Sequence, residues 1–273
     1  MIKLLNAGFT RLRKNRVFLI LTIFSIGFAV FAIYAQYNQM VKYGYNIDIL
    51  SLILNYPTIA GIVIAVFTSL FLGVEYSDGV IRNKISIGHK RENIYLSNLI
   101  IVVVTNLFFY ILFIITITAI GAPLFGWITI SISELLLKLF VAFMIIVSYS
   151  SIFTFIAMLC SNKALTSIIT TLLAFGLMMM GIFCLEIINS PEYIQSATLE
   201  DGETQIEKIP NPRYPSDSEK KMYQTLLDIN PAGQAFQTVQ GSENLKILPL
   251  YSLGILIIFT GLGLVLFRKK ELK

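Results

Sequence analysis

The sequence predicts an all-α integral membrane protein of six transmembrane helices. An amphipathic helix precedes the first of them, and a large outer segment separates the fifth from the sixth. Three observations predict it. First, 56% of the 273 residues are hydrophobic and only 14% are charged, with a mean hydropathy of +0.75; soluble domains carry about 25% charged residues. Second, the apolar residues fall in six long continuous runs rather than in alternation, which selects helices over barrel strands. Third, charge is distributed unequally between the segments that join those runs.

The runs lie near 17–35, 58–74, 99–122, 135–160, 164–185 and 247–267, the second with a possible earlier start in the apolar stretch 49–54 before Pro57. Threading the chain through them puts 14 of the 21 Lys and Arg residues on one side, with only four of the 16 acids. The basic set is Lys3, Arg11, Arg13, Lys14, Arg16, Arg82, Lys84, Lys90, Arg91, Lys163, Arg268, Lys269, Lys270 and Lys273. Lys/Arg excess marks the cytoplasmic side, so both termini are expected in the cytoplasm. The pI near 9.1 then reports orientation and not nucleic-acid binding.

Before the first run, residues 1–16 place Ile2, Leu5, Phe9 and Leu12 on one helical face, with Lys3, Asn6, Arg13 and Lys14 off it. That pattern suits a helix lying in the membrane interface. A cleaved signal peptide is the other reading of this start, but the apolar run is longer than an h-region and the basic segment is itself patterned. Between runs one and two, Tyr37, Tyr43, Tyr45 and Tyr56 suit an interfacial belt. Residues 121–133 form a short outer turn, and 161–163 join spans four and five as antiparallel neighbours. The outer segment 187–246 carries five prolines and cannot be one helix; it is expected to form a small extracellular cap rather than an independent domain. Helices are expected at 216–228 and, after Asn230-Pro231, at 232–240. The two cysteines, Cys160 and Cys184, belong to opposite leaflets and form no disulfide within one chain.

No catalytic constellation is evident. The single histidine, His89, lies in a basic loop; no metal-ligand pair or nucleophile motif occurs, so an enzyme is not expected. The span interiors hold almost no ionisable residue. Lys138 follows Glu134 by four and pairs with it near the outer end of span four. Ion-driven transporters generally need intramembrane relays, so this chain is expected either to use another energy source or not to transport at all.

The most patterned polar segment is 75–98, on the basic side. It reads Glu75-x-x-x-Gly79-x-x-Arg82, then Gly88-x-x-Arg91. Residues 75–88 are expected to form a helix, with Glu75 and Asp78 placed toward Arg82 (Asp78 on the same face, i to i+4) and Gly88 as its stop. A rigid lever with an exposed basic tip is one reading of this segment; a plain solvated loop, basic by the positive-inside rule alone, is the other, but it would not need two glycines and an ordered acid–base pattern.

These motifs resemble the linker between spans two and three of type-2 ABC exporter permeases, including those that export, or confer immunity to, bacitracin and lantibiotics. Asn230-Pro231-Ala-Gly-Gln before the last span also resembles that group. The resemblance covers nearly the whole chain as topology and about 40 residues as motif; where this chain has Ile85 and Ile87, the family often has a leucine. It implies that 1–16 is an elbow helix, that 75–98 is a coupling helix docking an ATPase, and that Glu75, Gly79, Arg82, Gly88 and Arg91 are the coupling residues. It also implies that spans two and five line the pathway, through Val63, Phe67, Phe71, Phe175, Met178, Met179 and Phe183. The chain has no Gly-x-x-x-x-Gly-Lys-Ser/Thr, so ATP and Mg would sit on a separate ATPase subunit. A second permease copy or paralogue completes the expected assembly, in a bacterial plasma membrane. The expected cargo is amphiphilic: an antimicrobial peptide, a lipid or a hydrophobic drug. Two rivals stand beside this reading. A non-transporting assembly or sensor subunit would tolerate charge reversal at Arg82 and Arg91; a membrane enzyme would need a polar cluster within the spans.

Overall fold

The computed structural model describes residues 1–200, 203–242 and 244–271, so Lys273 of the basic set lies outside the described residues. Six helical spans are long and apolar enough to cross a membrane. Helix α1 (Ile2–Arg13) leads into α2 (Arg16–Tyr43), the first span. Asn15 starts α2 by accepting from the Val17 and Phe18 amides at 2.8 and 3.2 Å, and Gly44 ends it. The second span is α3 (Ile49–Leu54) followed by α4 (Tyr56–Ser77), with Pro57 in the first turn of α4. Then come α5 (Val80–Ser86) and three long spans: α6 (Arg91–Phe125), α7 (Ile132–Leu159) and α8 (Lys163–Ile188). Strands β1 (Tyr193–Glu200) and β2 (Glu203–Pro210) form an antiparallel hairpin in register from Tyr193↔Pro210 to Glu200↔Glu203. Helices α9 (Asp217–Ile229) and α10 (Pro231–Gln240) lead to the last span, α11 (Leu248–Lys269).

The span containing α4, and α7, form the centre of the bundle; α2, α8 and α11 turn most of their surface outward. Lipid is as apolar as these side chains, so the bundle is held by close packing rather than by transfer from water. Phe67, Phe71, Phe109 and Phe153 are fully buried, with Phe67 stacked on Phe71 at 5.2 Å and edge-on to Phe109 at 5.9 Å.

Three expectations change. The buried line of α1 is Leu4, Gly8 and Leu12, with Ile2 exposed. Leu5 and Phe9 pack only partly, because Gly8 is the position that approaches Ile101 of α6. The segment between the fifth and sixth spans also contains the β-hairpin, an addition to the all-helical reading. Finally, α9 and α10 do not simply sit above the spans. Asn230 Nδ2 donates to the Leu177 carbonyl at 2.7 Å. Leu177 lies eleven residues before the end of α8, about 16 Å along the helix axis. The Asn230-Pro231 turn therefore dips deep beside α8. Buried polar groups at that depth must find partners, and they do. Asp228 accepts from Gln224 Nε2 at 2.8 Å and Gln237 Nε2 at 3.0 Å, while Gln234 bonds the Asp228 carbonyl at 2.7 Å and accepts from Ser252 of α11 at 2.6 Å.

Candidate functional site

At the basic end of the bundle, four elements converge on one carboxylate. Glu75, in the last turns of α4, is only 1% exposed. Lys84 of α5 donates to its Oε1 at 2.6 Å, and Asn98 of α6 donates to its Oε2 at 2.8 Å. Arg11 of α1 brings Nη1 within 2.5 Å of Oε1. That contact is an ion pair rather than an aligned hydrogen bond. The buried Nε and Nη2 have no oxygen partner, and the guanidinium lies over the Phe71 ring at 3.9 Å. Burial pushes Arg11 below its ordinary value, and the carboxylate of Glu75 opposes that shift. A buried carboxylate shared by two cations and an amide holds α1, α5 and α6 in one position relative to α4.

The expected pairing of Glu75 and Asp78 with Arg82 does not form. Among the described residues Arg82 makes no ion pair, and it is exposed. The reason is a break in the helix. Asp78 caps α4, Gly79 takes a left-handed φ of 68°, and a new helix starts at Val80. That turn removes Asp78 and Arg82 from a common helical frame. Gly88, also left-handed at φ 94°, closes the segment as expected.

Helix α5 has two faces. Ile81 is buried and Ile85 packs against the core, while Lys84 reaches Glu75. Arg82, Asn83, Ser86 and Ile87 are exposed, Ile87 by 78%. Ile87 is the one large apolar side chain among these four.

Arg91 is placed differently from the expectation of an exposed docking residue. Its Nη1 donates to the carbonyls of Phe267 at 3.2 Å, Arg268 at 3.1 Å and also Lys270. It therefore caps the end of α11, where unpaired carbonyls and the helix dipole favour a cation. Sequence reasoning missed a second latch beside it. Lys270 Nζ donates to Tyr76 Oη at 3.0 Å and to the Met158 carbonyl at 3.2 Å, and lies 4.1 Å from the Tyr76 ring centroid. The Tyr76 hydroxyl also donates to the Met158 carbonyl. Burial pushes Lys270 down to about 8.

The seven residues expected to line a pathway are not brought together. Val63, Phe67 and Phe71 are buried inside the bundle, packed between α4 and its neighbours. Phe175, Met179 and Phe183 lie exposed on α8, with Met178 half-buried between. One line of α4 faces the core and one line of α8 faces outward, so only the α8 residues present a surface.

No family model matches the chain, and no curated protein matches it.

Proposed function

We propose that this chain is the membrane permease subunit of an ATP-driven exporter of the type-2 ABC class. It lies in a bacterial plasma membrane with both termini in the cytoplasm. ATP and Mg are bound by a separate ATPase subunit, and a second permease copy or paralogue completes the pathway. The cargo is amphiphilic. Peptide, lipid and hydrophobic drug all fit this class.

One observation carries the reading. The exposed face of α5, with Arg82, Asn83, Ser86 and Ile87, is held on the end of a central span by the buried Glu75 cluster. A partner that pushes this tip moves α4 directly. Because α1, α6 and the end of α11 are latched to the same place, they would follow. ATP-driven closure of two ATPase subunits would thus tilt the bundle between inward-open and outward-open arrangements. The exposed apolar Ile87 beside Arg82 suits a knob for a protein cleft.

The test is transport in cells expressing the chain with its ATPase. Arg82→Glu removes an exposed side chain that holds nothing else in place. It should abolish transport and ATPase association while insertion and thermal stability stay unchanged. Normal substrate-stimulated ATPase activity in this variant would remove α5 as the docking element.

A further inference from the structure

Two cavities lie along the seam between α8 and α9. The deeper one, about 220 Å³, is apolar and is lined by Leu177 and Met180 of α8, Leu226 and Ile229 of α9, and Ile255 and Phe259 of α11. The shallower one, about 720 Å³, lies nearer the hairpin and includes Phe183, Glu186 and Tyr223. They follow the same stripes. Met180 and Phe183 are three residues apart on α8, and Leu226 and Tyr223 three apart on α9, so each pair shares a helix face. The rings of Phe183 and Tyr223, both in the lining of the larger cavity, meet edge-on at 6.2 Å. The seam therefore changes along its length from carbon-lined at depth to aromatic and acidic near the acidic end of the bundle.

Charge near the outer end is negative. Glu186 and Glu219 line the upper cavity with Arg213. Two hydrogen bonds from Ser216 occupy Glu219 and hold its carboxyl below the usual range. Glu186 makes none of the ion pairs found among the described residues. Lys220 already occupies the Tyr214 ring at 4.1 Å, which leaves the exposed ring of Phe183, packed edge-on with the half-buried Tyr223, as the open aromatic surface in the cavity that Glu186 also lines.

The geometry points to the α8–α9 seam as a binding groove for a single-chain amphiphile with an ammonium head. Its apolar body fills the Leu177–Met180–Leu226–Ile229 cleft, and its head lies against Glu186 beside the exposed Phe183 ring. The carboxylate supplies charge complementarity, and the Phe183 ring supplies cation–π attraction. Met180 adapts to bodies of different shape. As a cargo site the groove rests on the exporter reading; as a binding site it does not require an ATPase.

The probe is a photoactivatable dodecylamine carrying a diazirine on its chain, applied to the full chain in phosphatidylglycerol nanodiscs, which contain no lipid ammonium. Mass spectrometry maps the labelled residues. Saturable labelling is expected on α8 and α9 near Leu177–Met180 and Leu226–Ile229, displaced by dodecylamine but not by dodecanol. Glu186→Gln should weaken amine binding roughly tenfold and leave a matching dodecanol probe unaffected. Leu226→Trp should block the deep cleft and remove labelling there.

Equal labelling by amine and alcohol, unchanged by Glu186→Gln, would reduce the seam to an ordinary lipid contact and overturn the proposal. Displacement by phosphatidylethanolamine at bilayer amounts would make it a resident-lipid site and also overturn it. So would protection of the seam by crosslinks to a second copy. None of these results bears on whether α5 recruits an ATPase. Conversely, loss of ATPase association in Arg82→Glu should leave the labelling in place.

Discussion

Glu75 accepts hydrogen bonds from Lys84 and Asn98 and forms an ion pair with Arg11, so three elements meet its carboxylate and two of the partners are cationic. Breaking a buried ion pair by removing one partner is costly because the other charge stays uncompensated. Glu75→Gln should therefore lower stability by about 3 kcal/mol, read as a fall in the thermal unfolding midpoint of the purified chain. An unchanged midpoint would contradict the cluster's structural role. Lys270 is the second residue with a direct test. Its folded value near 8 lies below its ordinary 10.5. Between those pH values the folded chain binds fewer protons than the unfolded one, so folding stability rises with pH through that window, although the cation–π contact with Tyr76 is lost as the amine becomes neutral. Below about pH 8 both states are protonated and no further change occurs. Acetic anhydride labelling of Lys270 should reach half its maximum near pH 8; a midpoint near 10.5 would show an unburied amine. The importance of Glu75 was legible in the sequence, but its partners were not. Arg11 and Asn98 lie far from it in the chain, and no helical period connects them. Arg82 was the wrong partner because the left-handed Gly79 ended the helix that the pairing assumed.

The joint between α4 and α5 depends on a backbone conformation that only glycine adopts readily. Proline cannot reach φ 68°, so Gly79→Pro should disconnect the α5 tip from α4 and abolish coupled transport while the six spans still insert. Coupled transport at the normal rate would show that the joint is dispensable. The α9–α10 turn depends on a close approach instead. A Cβ on Gly233 would meet the Leu227 carbonyl oxygen at 2.5 Å and Leu227 Cα at 2.8 Å. Both are backbone atoms and cannot swing aside. Gly233→Ala should loosen this turn, measured as faster proteolysis within α9; wild-type resistance would contradict the packing. All six spans were legible, because continuous apolar runs of that length have few alternatives. The hairpin was missed although alternation around Asp201-Gly202 is a hairpin signal; those two residues lie outside the described ones. The depth of the α9–α10 turn was hidden because its contacts are long-range. Only the small residues Ala232, Gly233 and Ala235 hinted at close packing.

At the scale of the molecule, one end of the bundle is latched by buried polar contacts, with a cavity of about 580 Å³ beside Ser77 and Lys163, and the other end carries the α8–α9 seam. The basic end joins α1, α4, α5, α6, α7 and the α11 terminus through Glu75, Arg91 and Lys270. The opposite end combines a hairpin, the dipping α9–α10 pair and the seam along α8. A device that takes mechanical input at one end and meets amphiphiles at the other would have this distribution. The central claim is that the input comes from a separate ATPase docked on α5. The most direct test is gentle purification of the tagged chain from native membranes, with mass spectrometry of what accompanies it. The account predicts an ATPase bearing a phosphate-binding Gly-x-x-x-x-Gly-Lys-Ser/Thr loop, at about one per permease, lost in Arg82→Glu. A preparation reproducibly free of any ATPase, even after crosslinking, would contradict it and favour a non-transporting membrane subunit.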